Sequence, residues 1–410
     1  MHREDKSNDQ ERARQSLSST ISGRRKNRLS QNNPARAQTA SLYDLRKNVP
    51  PLPLKFSPEE AIQELVDINR KVLKGIETLS HIREDDIRIG ASAKEEVYRE
   101  DKVVLYHYTP LVEKPFPIPL LFVYALVNRP FMVDLQEDRS LVRNLLKLGI
   151  DVYIIDWGYP SRGDRWLTLE DYIDDYLANC VDVVRERHSL EKINVLGICQ
   201  GGTFSLCHAA LYPEKIKNLI TMVTPVDFHV TDGLLNRWAG CSVGTQSVNF
   251  DLMVDALGNI PGSFMNAGYL MLKPFLLGVQ KYLDVIDIMD NAAELMNFLR
   301  MEKWIFDSPD QAGEAFRQFM KDFYQANKLI KGEVRIGDKR VDLKNIRMPV
   351  LNIYAEQDHL VPPASSLALE KYCGSEDYKV LSFPTGHIGM YVSGKVQRDL
   401  PPAIATWLKR

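Results

Sequence analysis

With 410 residues, 44% of them apolar and 26% charged, the chain has the composition of a globular protein and the length for a core domain plus an insertion. A formal net charge of −2 supplies no global field toward nucleic acid or an anionic membrane, and no apolar run approaches the ~20 residues of a transmembrane segment. Five cysteines, at 180, 199, 207, 241 and 373, are odd in number and form neither a CxxC pair nor a His-Cys cluster, which argues against a disulfide framework or structural zinc and for free thiols in a reducing compartment.

Residues 1–50 are polar, rich in Ser, Gln, Asn and Arg, with a basic cluster at Arg24, Arg25, Lys26 and Arg28. Such a stretch cannot bury enough apolar surface to offset its ordering entropy, so a disordered basic tail is expected. Glu4, Asp5, Asp9 and Glu11 argue against a transit peptide, and the missing apolar h-region against secretion, which predicts an intracellular protein. Ser57-Pro58-Glu59-Glu60 has the signature of a helix start. Ile62, Leu65, Val66, Val72, Leu73, Ile76 and Leu79 then predict one buried stripe. Residues 97–108 read as a hairpin around a polar turn at 100–102.

From 117 onward apolar runs at 118–126, 150–156, 193–196, 218–224 and 349–354 predict buried strands. Helical stretches at 136–148 and 168–188 separate the first three, the second opened by Thr168-x-x-Asp171. Alternating strands and helices imply a mostly parallel sheet covered by helices on both faces. Between 228 and 340 the alternation stops in favour of Met-, Leu- and Phe-rich helical segments such as 292–305 and 310–330. The expected organisation is therefore a tail at 1–50, a core at 51–227 and 341–410, and a helical cap, or lid, at 228–340. An insertion there hangs over the C-terminal edge of the strands, where sites form in open α/β sheets.

Within Ile193-Asn-Val-Leu-Gly197-Ile198-Cys199-Gln200-Gly201-Gly202, a strand runs into Gly-x-Cys-x-Gly-Gly and then a helix. This is the nucleophile elbow of an α/β-hydrolase fold with cysteine in place of serine. Glycines flank a residue held in a tight turn at a helix N-terminus, where the dipole favours negative charge. The bland alternative is a buried structural cysteine on a tight turn. Its partners decide against that. In this fold the acid and then the histidine follow the nucleophile, and Asp358 lies just past the 349–354 strand while His387 follows on a glycine-containing loop. Glu356 is the competing acid. His359 is expected to point away from Asp358's direction, and His208 to be a surface histidine. Backbone N–H groups of Gln200 and Val127 are the expected oxyanion donors. Arg162 and Arg165 read as a solvated charged loop ahead of an anion contact. No metal site is expected.

A cysteine nucleophile exchanges one thioester for another and keeps the acyl group activated, which suits transfer to a second acceptor. His387 would take the Cys199 proton and then that of an incoming hydroxyl, with Asp358 fixing the imidazole tautomer. Gly197–Gly202, Tyr124-Ala-Leu-Val-Asn-Arg-Pro130, Ile154-Ile-Asp-Trp-Gly-Tyr-Pro-Ser-Arg-Gly-Asp164, Asp358-His-Leu-Val-Pro-Pro363 and Gly386-His-Ile-Gly-Met-Tyr-Val-Ser-Gly394 together closely resemble polyhydroxyalkanoate synthases. Chain length and Gln200 are most similar to the catalytic subunit of the class III, two-subunit enzymes. The resemblance covers roughly residues 55–410 and implies Cys199, Asp358 and His387 as nucleophile, acid and base. It also implies (3R)-3-hydroxyacyl-CoA, chiefly 3-hydroxybutyryl-CoA, as substrate, with polyester and coenzyme A as products and no separate cofactor. A second synthase subunit, a homodimer and residence on cytoplasmic polyester granules are implied as partners and place. The basic tail departs from the short synthases. The alternatives are a cysteine α/β-hydrolase, either dienelactone hydrolase-like or an intracellular polyester depolymerase, and a non-catalytic granule scaffold.

Overall fold

Successive side chains of a strand face opposite sides, so the continuous apolar runs of this chain can only be strands buried on both faces. The computed structural model describes residues 57–410 apart from 91, 231–232, 240–247, 274 and 276–278. The expected tail, its basic cluster and Cys241 lie outside the described residues. The chain divides into a unit ending at Ala61 and one spanning Ile62–Arg410. The described part of the first is the opening of helix α1 (Pro58–His81).

The second unit is built on one eight-stranded sheet. Its strands are β1 (Lys94–Glu100), β2 (Val103–Tyr108), β3 (Leu120–Val123), β4 (Val152–Asp156), β5 (Ile193–Ile198), β6 (Ile216–Met222), β7 (Val350–Ala355) and β8 (Tyr378–Phe383). They lie side by side as β1-β2-β4-β3-β5-β6-β7-β8. β1 and β2 form the antiparallel hairpin and β2 joins β4 antiparallel. Every later pairing is parallel. β8 is an edge strand with Lys379 and Val380 exposed, so no continuous apolar run marks it in the sequence.

Alternation divides the core in two. Leu121, Val123, Tyr153, Ile155 and Val195 enter one apolar cluster, joined by Leu177 and Val181 of α3 (Leu177–Arg187) and Phe204 and Leu206 of α4 (Gln200–Leu211). Leu120, Phe122, Val152, Ile154, Leu196 and Ile198 enter the other, with Leu400, Ile404 and Leu408 near the C-terminus. Each fully buried side chain of this kind contributes about 1.5–3 kcal/mol.

Three expectations need correction. The helix over 136–148 shortens to α2 (Leu141–Lys147). Residues 134–136 and 139–140 pair instead as a small hairpin. The cause is Asp134, whose carboxylate accepts from Ser92 (2.7 Å) and Ser140 (2.6 Å), while the Ser140 hydroxyl accepts from the Arg143 N–H and caps the helix (2.8 Å). The helix over 310–330 is broken into Gly313–Gln318, a π-helical stretch Phe319–Gln325 and Lys328–Lys331, with Asn327 at φ 49°. There Phe319, Phe323 and Tyr324 pack around Phe228, and that packing outweighs helical regularity.

Most consequentially, the apolar stripe of α1 is not buried. Ile62, Leu65, Val66, Leu73 and Ile76 are more than half exposed. The helix turns Gly75 inward instead, against Met289, and Lys71 reaches Asp287 at 3.5 Å. Among the described residues the stripe has nothing to pack on. Leu73→Gln should therefore move the thermal midpoint of the isolated chain by less than about 2 °C. Leu121→Ala, at a fully buried position, should cost about 2–5 kcal/mol in a denaturant titration.

Candidate active site

Cys199 stands where β5 becomes α4, at φ 53° and ψ −125°, a backbone conformation that L side chains rarely adopt. Its N–H donates to Met222 O (2.9 Å), and its carbonyl accepts from Gly202 N–H (2.9 Å). The helix start sits so close to the sheet that its glycines have no room for a Cβ. One on Gly201 would meet the Val123 and Tyr124 carbonyl oxygens, one on Gly202 the Thr224 side chain, and one on Gly197 the Cα of Gly202. The spacing of the motif is thus a packing requirement. Cys199 is partly exposed, whereas Cys180 and Cys207 are fully buried. Burial pushes the Cys207 thiol up to about 12 and the Cys180 thiol higher still, as expected for inert core residues.

Asp358 follows β7 in a turn. Its Oδ1 accepts from the Leu360 and Val361 N–H groups, each at 2.9 Å, and its Oδ2 lies 2.7 Å from His387 Nδ1. Both residues are buried. Burial alone would lower the His387 pKa, but the Asp358 carboxylate and Cys199 outweigh it and hold it raised to about 10. Glu356 is exposed and takes a hydrogen bond from Ser382 Oγ at 2.8 Å. The carboxylate on His387 is therefore Asp358's. His359 is half-buried beside it, its pKa lowered by burial and by Lys273.

Gln200 and Val127 both reach this end of the sheet, and among the described residues neither backbone N–H donates to another group. The loop carrying Val127 is held from three directions. Gln200 Oε1 accepts from the Leu126 N–H (3.1 Å), Trp157 Nε1 donates to Tyr124 O (2.9 Å), and Gln311 Nε2 donates to Leu126 O (2.8 Å). Trp304 Nε1 donates to Arg129 O (2.8 Å) and Asn128 Nδ2 to Ile305 O (3.2 Å). Sequence reading missed the Gln200 side chain, Trp304 and Gln311. A buried polar residue directly after the nucleophile signalled only the first.

Two further expectations are settled by packing. His208 is not at the surface. Every residue of α4 from Gln200 to Ala210 is buried, neither ring nitrogen has a hydrogen-bond partner of normal geometry among the described residues, and burial lowers its pKa to about 4. Arg162 is exposed, while Arg165 is half-buried with its guanidinium 4.6 Å from the Trp166 ring centroid. Three tyrosines lie close enough to Cys199 to feel its charge. Burial first and then the charge of Cys199 raise the hydroxyl pKa values of Tyr124 and Tyr269. Those of Tyr391 rise for burial, Tyr124 and Cys199 in that order. Among the described residues no group of three or more His, Cys, Asp or Glu side chains could hold a metal ion, and no helix is long and apolar enough to cross a membrane.

Sheet order, elbow and the Asp-His pair after β7 and β8 define a protein of the α/β hydrolase fold, and the family of that description matches residues 118–393. Among similar proteins, the "Poly(3-hydroxyalkanoate) polymerase subunit PhaC" of Synechocystis sp. is 67% identical over 351 residues, spanning 85% of this chain and 93% of its own. The protein of the same name from Allochromatium vinosum is 55% identical over 87% of this chain and 99% of its own. That from Haloferax mediterranei is 43% identical over 85% and 69%. The chain belongs to the PhaC family of poly(3-hydroxyalkanoate) polymerase subunits.

Gly201→Ala should force the elbow away from the Val123–Tyr124 carbonyls and cost about 1–3 kcal/mol or more, read from the denaturation midpoint. A second expectation concerns pH. His387 binds its proton more tightly folded than unfolded, where its pKa is near the ordinary ~6.5. Its contribution to stability is then complete below about pH 6.5 and lost as pH rises toward 10. Asp358→Asn should flatten that alkaline decline in a thermal-midpoint titration. An equally steep decline in the variant would assign it to other groups.

Proposed function

We propose that this chain is the catalytic subunit of a poly(3-hydroxyalkanoate) polymerase of the two-subunit kind, working through a Cys199-bound acyl group. The observation that carries the reading is the buried 2.7 Å contact of His387 Nδ1 with Asp358, on a ring close enough to Cys199 to be influenced by its charge. Relatives named polymerase subunits over nearly their whole length support the overall activity.

In this reading His387 removes the Cys199 proton, and the thiolate sulfur attacks the thioester carbonyl of (3R)-3-hydroxyacyl-CoA. N–H groups of Gln200 and Val127 receive the developing negative oxygen. Collapse of the tetrahedral adduct breaks the bond to coenzyme A sulfur, which leaves with the proton from His387. His387 then takes the proton of a chain hydroxyl, the hydroxyl oxygen attacks the Cys199 thioester, an ester bond forms and the cysteine recovers its proton. Asp358, saturated by two backbone N–H groups and the ring, holds one imidazole tautomer. No separate cofactor is needed, since coenzyme A enters on the substrate and leaves as product.

The 228–340 insertion, whose described helices include Phe250–Leu257, Ala292–Phe306 and Gly313–Gln318, bears on the Val127 loop through Trp304, Ile305 and Gln311. We assign it the role of a lid that withholds water from the acyl-enzyme. The exposed stripe of α1 supports assembly with a second synthase subunit and a second copy of this chain. Cytoplasmic polyester granules are the assigned location. The hydrolase reading makes the same acyl-enzyme but ends in free acid.

Supplying 3-hydroxybutyryl-CoA and measuring coenzyme A released against polymer and free hydroxy acid separates the two. The polymerase reading expects polymer in near-stoichiometric yield, and predominant free acid would overturn it. Cys199→Ala should abolish covalent labelling by acyl-CoA and lower turnover by on the order of ten-thousandfold. Labelling that persists would remove Cys199 from its role.

A further inference from the structure

A backbone amide donates only in the direction its peptide plane allows. The peptide unit is planar and trans, so its carbonyl and its N–H point to opposite sides of the chain. Whatever grips the carbonyl therefore sets where the N–H points. The Val127 N–H shares its plane with the carbonyl of Leu126, and that carbonyl accepts from Gln311 Nε2 at 2.8 Å. The other bonds to this loop engage different planes. Trp157 Nε1 donates to Tyr124 O and Trp304 Nε1 to Arg129 O, while Gln200 Oε1 accepts from the Leu126 N–H, which shares its plane with the Ala125 carbonyl.

Gln311 is itself firmly held. It is 4% exposed, and an antiparallel bridge pins its backbone to Ile260. The Ile260 N–H donates to Gln311 O (2.9 Å) and the Gln311 N–H to Ile260 O (2.8 Å). Next to it, Asp310 Oδ1 accepts from the Gly262 N–H (2.9 Å). One residue beyond Val127 the chain turns, with Asn128 at φ 58° and its Nδ2 donating to Ile305 O (3.2 Å). The plane is thus fixed at its carbonyl and just past its N–H, while that N–H donates to no group among the described residues. A hydrogen bond accepted by the carbonyl also polarises the N–H of the same amide and strengthens it as a donor.

We propose that Gln311 is a positioning residue for acylation, an inference that rests on the polymerase reading above. By holding the Leu126 carbonyl it aims and strengthens the Val127 N–H as a donor to the oxyanion formed when Cys199 attacks a thioester. The insertion that carries Gln311 then serves the chemical step as well as covering the site. A preorganised donor stabilises charge that exists only in the tetrahedral adduct. Its loss slows acylation and leaves ground-state binding of the thioester in place.

The test compares the full chain with Gln311→Met and Gln311→Leu, which fill the space and remove the donor. Coenzyme A release in the first turnover is measured across a range of (3R)-3-hydroxybutyryl-CoA concentrations. Alkylation of Cys199 by iodoacetamide is followed on the same samples by peptide mass spectrometry. Alkylation uses the same sulfur but displaces iodide from a saturated carbon and forms no oxyanion. The limiting acylation rate should fall by about tenfold or more, with the half-saturating concentration and the alkylation rate within about twofold of wild type. An unchanged limiting rate overturns the proposal. A parallel loss of acylation and alkylation, through misfolding of both variants or otherwise, also overturns it and makes Gln311 structural. A rise in the half-saturating concentration alone overturns it and makes Gln311 a binding residue. A wild type that forms no acyl-enzyme sinks the polymerase reading and this inference together, whereas an acylating wild type with unaffected variants sinks this inference alone.

Discussion

The site depends on how closely the first turn of α4 approaches the sheet. Gly201 lies against the carbonyl oxygens that end β3, and Gly202 against Thr224 beyond β6. Only residues without a Cβ permit that approach, and only that approach holds Cys199 at φ 53° with its side chain at the C-terminal edge of the strands. Holding a non-glycine residue there costs on the order of 1–3 kcal/mol. The surrounding sheet offsets this through the Met222 and Gly202 backbone hydrogen bonds and strands buried on both faces.

Once the elbow is placed, its neighbours are tied to it. The Gln200 side chain takes the Leu126 N–H, so the loop after β3 and the start of α4 move as one piece. Trp304 and Gln311, from the insertion, bond the same loop from the other side. The loop that carries the Val127 N–H is thereby tied both to the start of α4 and to the segment between β6 and β7. The buried Asp358-His387 pair is saturated by backbone donors on one oxygen, which leaves the ring one orientation.

Where a signal was local, the sequence carried it. The five anticipated strands and the capping contact of Thr168 with Asp171 (2.7 Å) follow from apolar runs and short-range hydrogen bonding, which need no knowledge of what lies across the molecule. Where the outcome depended on distant partners, the reading went astray. His208 looks like a surface residue until the layer over α4 is known. The α1 stripe looks like a core face, yet among the described residues nothing covers it. Asp134 turns an expected helical turn into a hairpin through Ser92, 42 residues away.

What the sequence by itself determined is the alternation of strands and helices in the core, the elbow with its glycines, and the candidates for nucleophile, acid and base. Tertiary structure decided that Gln200, Trp304 and Gln311 hold the Val127 loop, that His208 is buried, and that the Leu360 and Val361 N–H groups orient Asp358 on His387. The reason is physical. Backbone conformation and period are written in neighbouring residues, whereas the partner of a buried polar group is chosen by whichever segments the finished fold brings within about 3 Å.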